Sequence, residues 1–396
     1  MITKDVVMVV GGGKWQVPII KEAKRLGCVV INSNLHEDSP GFEYSDHSYV
    51  VDVLDKEKNY EIAKLHNVSA VVTDQSDIAI NTVAYINERM GLNGLNIDTA
   101  NLYTNKYCMR KDLLVDDLYH PQYKLCRSES DALLFIKKIQ FPVIIKPLDN
   151  QSSRGVYLIT STQELKGKIK STKKYSKNGE FLVEEYVGGV EITAEGFKFN
   201  NGNHVTLAVS RKDHYNDVFG VANSLLYQIN HAEFPCNKLC EINNKLFNRL
   251  PFGITHVEYK YFNGKFYLVE AAARGGGTRI SSDIVPVVSG INVLNLYLKT
   301  ALGLNVPSIE KIKFQNNVIL GFFRFSQGVV KSINIDKSIY DENLIDMELE
   351  FSIGDSISEP VDDRSRHGYF ILKNKSLDEL KLRTKMILDS VTVEYI

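Results

Sequence analysis

The first hundred residues alternate short apolar strands with helical stretches, and this alternation constrains the fold more than any other feature of the sequence. Val6–Val10 is a continuous apolar run, and a helical pattern follows from Val17 to Leu26. The same order continues through strand-like and helical stretches at 28–32, 49–53, 59–66 and 70–73. Apolar strands that alternate with helices are typical of a parallel sheet that is buried on both faces. We therefore predict a βαβ domain over residues 1–100.

Glycine and polar residues follow two of these predicted strands. Gly11-Gly12-Gly13 follows the first strand and Thr73-Asp74-Gln75 follows the last. Ligands of such sheets bind at the carboxyl ends of the strands, so Asp74 is a candidate substrate contact. The glycine run lacks the third glycine of a dinucleotide fingerprint, because Gln16 occupies that position. We interpret the run as a close-packed strand-to-helix turn that lines a substrate site; a dinucleotide-dependent dehydrogenase is a remote alternative.

Composition excludes several classes of function. The 396 residues allow two or three domains, and 47 Lys and Arg against 48 Asp and Glu give a net charge of −1. That balance argues against binding to nucleic acid, which needs excess positive charge. No apolar run reaches the roughly 20 residues of a membrane helix, and the start lacks the apolar segment of a secretory signal. We expect small-molecule partners, with no nucleic acid and no membrane.

The five cysteines are odd in number and scattered along the chain. This usage favours reduced thiols, so we expect a cytoplasmic protein. Cys236 and Cys240 form one isolated pair, which we interpret as two positions on one helix. A zinc site would need two further ligands at suitable spacing.

The middle of the chain places positive charge beside a turn of small residues. Phe141–Lys146 is an apolar strand that ends in a lysine, and Ser152-Ser153-Arg154-Gly155 follows it. Burying an unpaired charge is costly, so a lysine at the end of a buried strand indicates a nearby anion. The backbone N–H groups and hydroxyls of the turn can surround phosphate oxygens. The two features together predict a phosphate-binding site.

A predicted hairpin places two carboxylates side by side. The strands 256–260 and 265–270 flank a turn at Asn263-Gly264, and they carry Glu258 and Glu270. Paired carboxylates repel unless a cation or proton intervenes, and Mg²⁺ prefers such oxygen ligands. Arg274 lies four residues beyond Glu270 and suits an anionic transition state, since its guanidinium donates two hydrogen bonds at once.

This ordered series resembles the ATP-grasp superfamily over roughly residues 1–305. The resemblance implies an α/β and α+β fold: a Rossmann-like domain at 1–100, an ATP-grasp domain at 101–305 with subdomains that divide near 188, and a C-terminal α+β module at 306–396 with a lid-like role. ATP and Mg²⁺ or Mn²⁺ are the implied cofactors. The implied ATP contacts are Lys106, Lys146, Ser152, Ser153, Gly155, the hinge residues Glu184, Glu185, Tyr186 and Val187, and Glu191 near the ribose. Glu258 and Glu270 correspond to the metal ligands, and Arg274 and Lys146 to the catalytic residues.

One position departs from the family pattern. Where the family commonly has an asparagine as a further metal ligand, this chain has Ala272. Alanine cannot coordinate a cation, so either another ligand replaces it or the second metal binds weakly. The departure keeps open a non-catalytic ATP-binding regulator.

The last part of the chain predicts strands at 317–325 and 328–335 that Ser326-Gln327-Gly328 divides. This alternating-strand module resembles the C-terminal domain of L-amino-acid ligases and related carboxylate–amine ligases. The resemblance implies an ATP-dependent ligase that forms an amide or peptide bond through an acyl phosphate, with a carboxylate and an amine as substrates and with a homodimer as a common state. A bicarbonate-using carboxylase or carbamoyl-phosphate-type enzyme is the alternative within the superfamily. Candidate substrate contacts are Arg279, Gly276, Asp74, Arg211 and His231. The backbone N–H groups of 275–277 are expected to help stabilise an oxyanion. Arg364, Arg366 and His367 are further candidates to reach the active site.

Overall fold

The computed structural model describes residues 4–150, 153–176, 178–228, 230–307, 309 and 312–396. Its first elements are β1 Val6–Val10, α1 Val17–Arg25, β2 Val29–Asn34, β3 His47–Val50, α2 Lys56–Leu65, β4 Ala70–Val72, α3 Asp77–Met90 and α4 Ile97–Leu102. The four strands form one sheet in the order β3-β2-β1-β4, and every neighbouring pair is parallel. The predicted parallel βαβ sheet is therefore confirmed, and the loops after β1 and β4 lie side by side at its carboxyl edge.

The glycine run after β1 is a close-packed turn, as predicted. A Cβ on Gly12 would collide with the Asn32 side chain, and a Cβ on Gly41 would approach the Gly12 Cα to 2.9 Å. The backbones also touch, since the Gly41 amide donates to the Gly12 carbonyl at 2.8 Å. Small residues are thus required where the two chain segments cross, and Trp15 lies two residues beyond the glycine run.

A smaller sheet follows and is covered by helices on one face only. The elements are α5 Lys106–Asp112, β5 Leu118–Tyr119, β6 Tyr123–Cys126, α6 Glu129–Ile139, β7 Val143–Lys146, β8 Tyr157–Ile159, α7 Thr162–Lys173 and β9 Phe181–Glu185. The antiparallel order is β6-β9-β7-β8. Val143 and Ile145 pack with α6 and α7, whereas Ile144 and Lys146 face the opposite side because side chains alternate along a strand.

The largest sheet has nine strands in the order β17-β19-β15-β12-β11-β10-β13-β14-β5. The remaining elements of the chain are β10 Val190–Lys198, β11 His204–His214, β12 Ala222–Tyr227, α8 Cys236–Leu246, β13 Gly253–Phe262, β14 Lys265–Ala272, α9 Val285–Ser289, α10 Val293–Ala301, β15 Asn317–Phe322, β16 Gly328–Ile335, β17 Leu344–Leu349, β18 Ser356–Ile357, β19 Gly368–Asn374, α11 Leu377–Asp389 and β20 Val391–Tyr395. Three of these strands form a separate sheet in the order β18-β16-β20. Since β15 pairs with β12, the C-terminal strands β15, β19 and β17 extend the nine-stranded sheet. The boundary predicted at residue 306 therefore does not divide one sheet from another.

The predicted hairpin is confirmed as β13 and β14. Asn263 and Gly264 form its turn with φ values of 49° and 75°, the left-handed conformation that two-residue hairpin turns favour. The register sets Glu258 directly opposite Glu270 and His256 opposite Ala272.

Among the described residues, no single helix is long and apolar enough to cross a membrane. Only the bent pair 280–289 and 293–301 passes when joined, by length and composition alone.

Stability should fall in acid because of one buried histidine. Burial lowers the pKa of His204 to about 4, although a hydrogen bond with Asn244 partly opposes this shift. The neutral ring is therefore favoured in the folded chain, and its contribution is lost as pH falls from about 6.5 to about 4, a loss of about 3 kcal/mol. In urea titrations across this range, we expect the stability difference between wild type and His204→Gln to shrink as pH falls. The control is His36→Gln at an exposed position, whose stability should change with pH as that of wild type does. A stability difference between wild type and His204→Gln that stays constant with pH would contradict the role given to His204.

Candidate active site

A cleft of about 500 Å³ separates the exposed face of the small sheet from the central sheet. Helices cover the other face of the small sheet, so Ile144 and Lys146 project into this space. Opposite them, β10, β11, β13 and β14 contribute Glu191, Lys212 and Glu258 among other charged side chains. The volume is that of a pocket for one small molecule, and its lining combines an apolar end with a densely charged end.

Two buried cations share one carboxylate at the charged end. Arg110 Nε lies 2.7 Å from Glu184 Oε1, and Lys146 Nζ lies 2.7 Å from Glu184 Oε2. Burial alone would raise the pKa of Glu184, but the two cations lower it to about 2. Burial lowers the pKa of Lys146 to about 8, since Glu184 only partly offsets the burial and Arg110 adds repulsion. The cluster therefore carries excess positive charge that an anion in the cleft would neutralise.

Glu191 lies between cations on both neighbouring strands. The sheet register pairs it with Lys212 on β11 and with Lys260 on β13, and each Nζ lies 2.9 Å from a Glu191 oxygen. His214 Nε2 is a third neighbour at 3.5 Å. Burial opposes ionisation, yet Lys212 and the other cations hold the pKa of Glu191 well below its usual range. Its carboxylate, expected near a ribose, is thus already engaged by protein cations.

The two carboxylates of the hairpin are adjacent and each has a lysine partner. Glu258 and Glu270 are a cross-strand pair, with Lys212 Nζ 2.9 Å from Glu258 and Lys106 Nζ 3.0 Å from Glu270. Lys106 also donates to the Asn150 carbonyl at 2.7 Å. Burial would raise the pKa of Glu258, but Lys212 and His256 lower it instead.

The donor set tests whether a metal fits here. No group of three or more His, Cys, Asp or Glu side chains could hold a metal ion within the described part of the chain. Ala272 is fully buried and supplies no donor. Mg²⁺ is commonly held by one or two carboxylates together with substrate phosphates and water. Glu258 and Glu270 fit that kind of site, in which a nucleotide supplies the remaining ligands, and they do not form an all-protein cage.

The turn of small residues reaches across the cleft. Ser153 Oγ donates to the Gly220 carbonyl at 3.0 Å, and Gly220 belongs to the segment between β11 and β12. Gly155 has a φ of 72° and a Cβ there would meet the Tyr175 ring at 2.7 Å, so glycine is required. Ser153 lines the cleft, whereas Gly155 supports the turn from behind. Ser152 lies outside the described residues.

Apolar side chains and the predicted hinge line the other end of the cleft. Ile144, Val156, Leu158, Leu268 and the hinge residues 185–187 line this end together. Phe219, from the same segment as Gly220, approaches Tyr186 edge to face at 6.3 Å between ring centroids. Apolar side chains beside a hinge, in the same cleft as the cations Arg110 and Lys146, suit a base joined to phosphates.

Arg274 is held by a carboxylate from the first domain. Its Nε and Nη2 lie 2.6 and 2.7 Å from the two oxygens of Asp77, and its Nη1 donates to the Gly275 carbonyl at 2.9 Å. Although burial opposes the charge, Asp77 raises the pKa of Arg274. The Gly275 N–H, expected to help bind an oxyanion, donates instead to Asp74 at 3.0 Å. Asp74 is buried, does not line the cleft and holds this segment in place.

A second cavity of about 370 Å³ adjoins the cleft. Trp15 and Gln75 of the first domain line it, together with residues of the central sheet and of 363–369. Five residues line both cavities: Lys212, His256, Glu258, Arg274 and Asp363. The spaces therefore meet at the candidate metal carboxylate Glu258.

The remaining substrate candidates lie away from both cavities. Arg211 points to the opposite side of β11 from Lys212 and pairs with Asp213 and Glu233 at 2.9 Å each. His231 Nε2 lies 3.1 Å from the Val209 carbonyl, so its ring is used in packing.

The other candidates near the second cavity are likewise engaged or enclosed. Arg279 forms ion pairs with Asp283 and Asp346 beside the cavity, each at 2.9 Å. Gly276 is enclosed, since a Cβ there would lie 3.0 Å from the His256 ring. His367 bonds two backbone groups, the Phe325 amide and the Ser358 carbonyl.

Several residues of the cleft carried no signal by themselves in the sequence. Lys212 and His256 are examples: they lie on different strands, and the pairing of β11, β10 and β13 brings them together. His256 Nδ1 lies 2.8 Å from Glu195, which raises the histidine pKa to about 9 despite burial. The sequence signal for these residues is the alternation of side chains along each strand, because Glu191, Lys212 and Glu258 all lie on the face of the sheet that lines the cleft.

Comparison with known proteins identifies this architecture. Residues 139–283 match the family model described as an ATP-grasp domain. The chain contains an ATP-grasp domain. A formate-dependent phosphoribosylglycinamide formyltransferase of Bacillus velezensis is 23% identical over 77% of this chain and 79% of its own. A D-alanine--D-alanine ligase of Pelagibacter ubique is 27% identical over 50% of this chain and 66% of its own.

The fold also matches solved structures along its whole length. The crystal structure of an L-amino acid ligase from Bacillus licheniformis covers 100% of both chains with a TM-score of 0.85 at 20% identity. The comparisons confirm the predicted ATP-grasp fold within a mixed α/β and α+β architecture. They also support the predicted class, an ATP-dependent, ADP-forming carboxylate–amine ligase.

Proposed function

We propose that this protein joins a carboxylate to an amine with ATP and a divalent cation, and that ATP occupies the cleft between the two sheets. The observation that carries the proposal is the junction of two cavities at Glu258, where an ATP-sized cleft opens onto a second space for another molecule. The base lies at the apolar end beside Tyr186 and Val187. The phosphates lie beside Lys146, Arg110 and the Ser153 turn.

The cation belongs at Glu258 and Glu270, together with the phosphates. When bound, Mg²⁺ or Mn²⁺ offsets negative charge on the phosphates and fixes their orientation. Lys106 and Lys146 supply further positive charge on the protein side. The excess charge at Glu184 supports this placement, because two cations share its single carboxylate.

The reaction has two steps. A carboxylate oxygen of the substrate attacks the γ-phosphorus, the bond from that phosphorus to the β,γ-bridging oxygen breaks, and ADP leaves with the electron pair. The amine nitrogen of the second substrate then attacks the acyl carbon, the carbon–oxygen bond to phosphate breaks, and the amine loses a proton to solvent. Positioning and electrostatics dominate phosphoryl transfer, so Lys146 and Arg274 act by holding charge in place.

Arg274 acts in company with Asp77. Because Asp77 binds two of its nitrogens, the guanidinium is fixed in orientation at the junction of the two cavities, both of which Arg274 lines. Of the three glycines that follow, Gly277 lines the second cavity, and its N–H replaces that of Gly275 as the candidate oxyanion donor.

A panel of acids and amines tests the proposed function. We expect at least one acid and amine pair to raise ADP release well above the rate with ATP alone, with formation of the amide seen by mass spectrometry. ADP release that depends on bicarbonate in place of the acid would favour the carboxylase alternative. ATP binding by calorimetry with no pair stimulating ADP release would contradict a ligase and favour a non-catalytic ATP-binding protein.

A further inference from the structure

The walls of the second cavity differ from those of the ATP cleft. Trp15, Leu225, Leu320 and Phe322 give it a continuous apolar side. Trp15 comes from the first domain, two residues after the glycine run, and its ring lies edge to face with Tyr369 at 5.8 Å between ring centroids. Lys14 is not free to enter this space, since its ammonium contacts Glu348 and Glu350.

Most charged groups around this cavity are already neutralised within the protein. Arg274 has both oxygens of Asp77, and Lys212 has Glu191 and Glu258. An anionic ligand in the cavity would therefore gain little binding energy from Arg274 or Lys212. Arg364 has an exposed side chain that pairs with Asp362 at the rim.

Arg366 is the exception among these cations. Its side chain is 11% exposed and its guanidinium carbon lies 3.5 Å from the centroid of the Phe322 ring. Its Nε donates to the Asp363 carbonyl at 2.8 Å, and its ion pair with the Asp363 carboxylate is long, 3.3 Å from Nη2. Burial lowers the pKa of Arg366 because Asp363 offsets only part of the cost. A buried, undercompensated cation that lines a cavity favours an anion there.

We propose that the second cavity binds the carboxylate substrate, an organic acid with a bulky apolar group, and that Arg366 and Trp15 select it. The acid's carboxylate lies at Arg366, next to Asp363 at the junction with the ATP cleft, within reach of the γ-phosphate. Its apolar group lies against Trp15, Leu225 and Phe322. This substrate class rests on the proposed function, and the volume of about 370 Å³ suits a molecule of amino-acid size.

The position of Trp15 gives a direct measurement of binding. It is the single tryptophan of the chain, so its fluorescence reports on this cavity alone. With a non-hydrolysable ATP analogue and Mg²⁺ present, we expect saturable fluorescence changes with L-leucine and with 4-methylpentanoate. L-leucinamide, which lacks the carboxylate, should give none. Binding of ribose 5-phosphate in place of these acids would overturn the proposal and indicate a phosphorylated substrate.

Calorimetry on single variants, under the same conditions, tests Arg366 and Trp15 separately. Arg366→Gln should weaken leucine binding at least about tenfold, because a hydrogen-bonded charge is lost. Trp15→Ala should weaken leucine binding by a similar factor and leave acetate binding unchanged. Arg383→Gln, which alters an arginine on α11 paired with Glu379 and Asp341, is the matched control. Unchanged leucine binding in Arg366→Gln, with a native circular dichroism spectrum, would overturn the assignment.

Binding and turnover distinguish this proposal from the proposed function. If leucine binds as expected and no acid and amine pair releases ADP, the ligase function fails and the ligand class of the cavity stands. If ADP release responds to acids that lack an apolar group, and leucine neither binds nor reacts, the ligase function stands and the substrate class fails.

Discussion

Glu270→Gln is expected to lower ADP release at least about 100-fold, measured with the acid and amine pair that gives the highest rate. The substitution keeps the shape of the side chain and removes one of the two adjacent carboxylates at the proposed metal site. Removing a single preorganised electrostatic contact at a reacting centre commonly costs about 100- to 1,000-fold in rate. ATP binding should weaken much less, because Lys106, released from Glu270, remains available to the phosphates.

The control for this variant is a carboxylate that forms an ion pair elsewhere. Glu379→Gln removes one of the two carboxylate partners of Arg383 on α11 and should release ADP at the wild-type rate. A metal titration supplies the second readout. The Mg²⁺ concentration for half-maximal rate should rise in Glu270→Gln and stay constant in Glu379→Gln. Wild-type turnover by Glu270→Gln would remove Glu270 from the site.

The sequence predicts the parts of this fold that depend on local pattern. The parallel sheet of the first domain follows from apolar runs that alternate with helices, and the β13–β14 hairpin follows from Asn263-Gly264. The adjacency of Glu258 and Glu270 is a consequence of that hairpin, so it too is predictable. Each of these features is fixed within a few dozen residues of chain.

Long-range partners could not be predicted in the same way. Asp77, which binds Arg274, is separated from it by nearly two hundred residues, and Arg110 is far in sequence from Glu184. The resemblance assigns Glu184 to the hinge, yet its side chain holds two cations together. Such pairings depend on how the sheets and helices pack, and no spacing along the chain encodes that packing.

The C-terminal region shows the same limit for a whole segment. The strands predicted at 317–325 and 328–335 correspond to β15 Asn317–Phe322 and β16 Gly328–Ile335. What the pattern does not indicate is that β15 adds to β12 and so places Arg366 beside the second cavity. The arginine therefore gains its proposed role from sheet topology alone.

Glu184→Gln is expected to lower the free energy of unfolding by about 3–5 kcal/mol, seen as a lower urea midpoint at pH 7. The reason is that both Arg110 and Lys146 stay buried and lose their shared carboxylate, and an uncompensated buried charge is strongly destabilising. The pKa of Glu184, lowered to about 2, gives the sign of the pH dependence: the wild-type advantage is complete above about pH 4.3 and falls as pH drops toward 2.

Two further variants separate charge compensation from simple disruption of packing. Glu185→Gln changes the neighbouring, partly exposed carboxylate, and its urea midpoint should stay within about 0.5 kcal/mol of wild type. Adding Arg110→Gln to Glu184→Gln removes one of the unpaired cations, so the double variant should be more stable than the sum of the single losses predicts. Strict additivity would mean that Glu184 acts through packing, because only a charge shared by Arg110 and Lys146 couples the two substitutions.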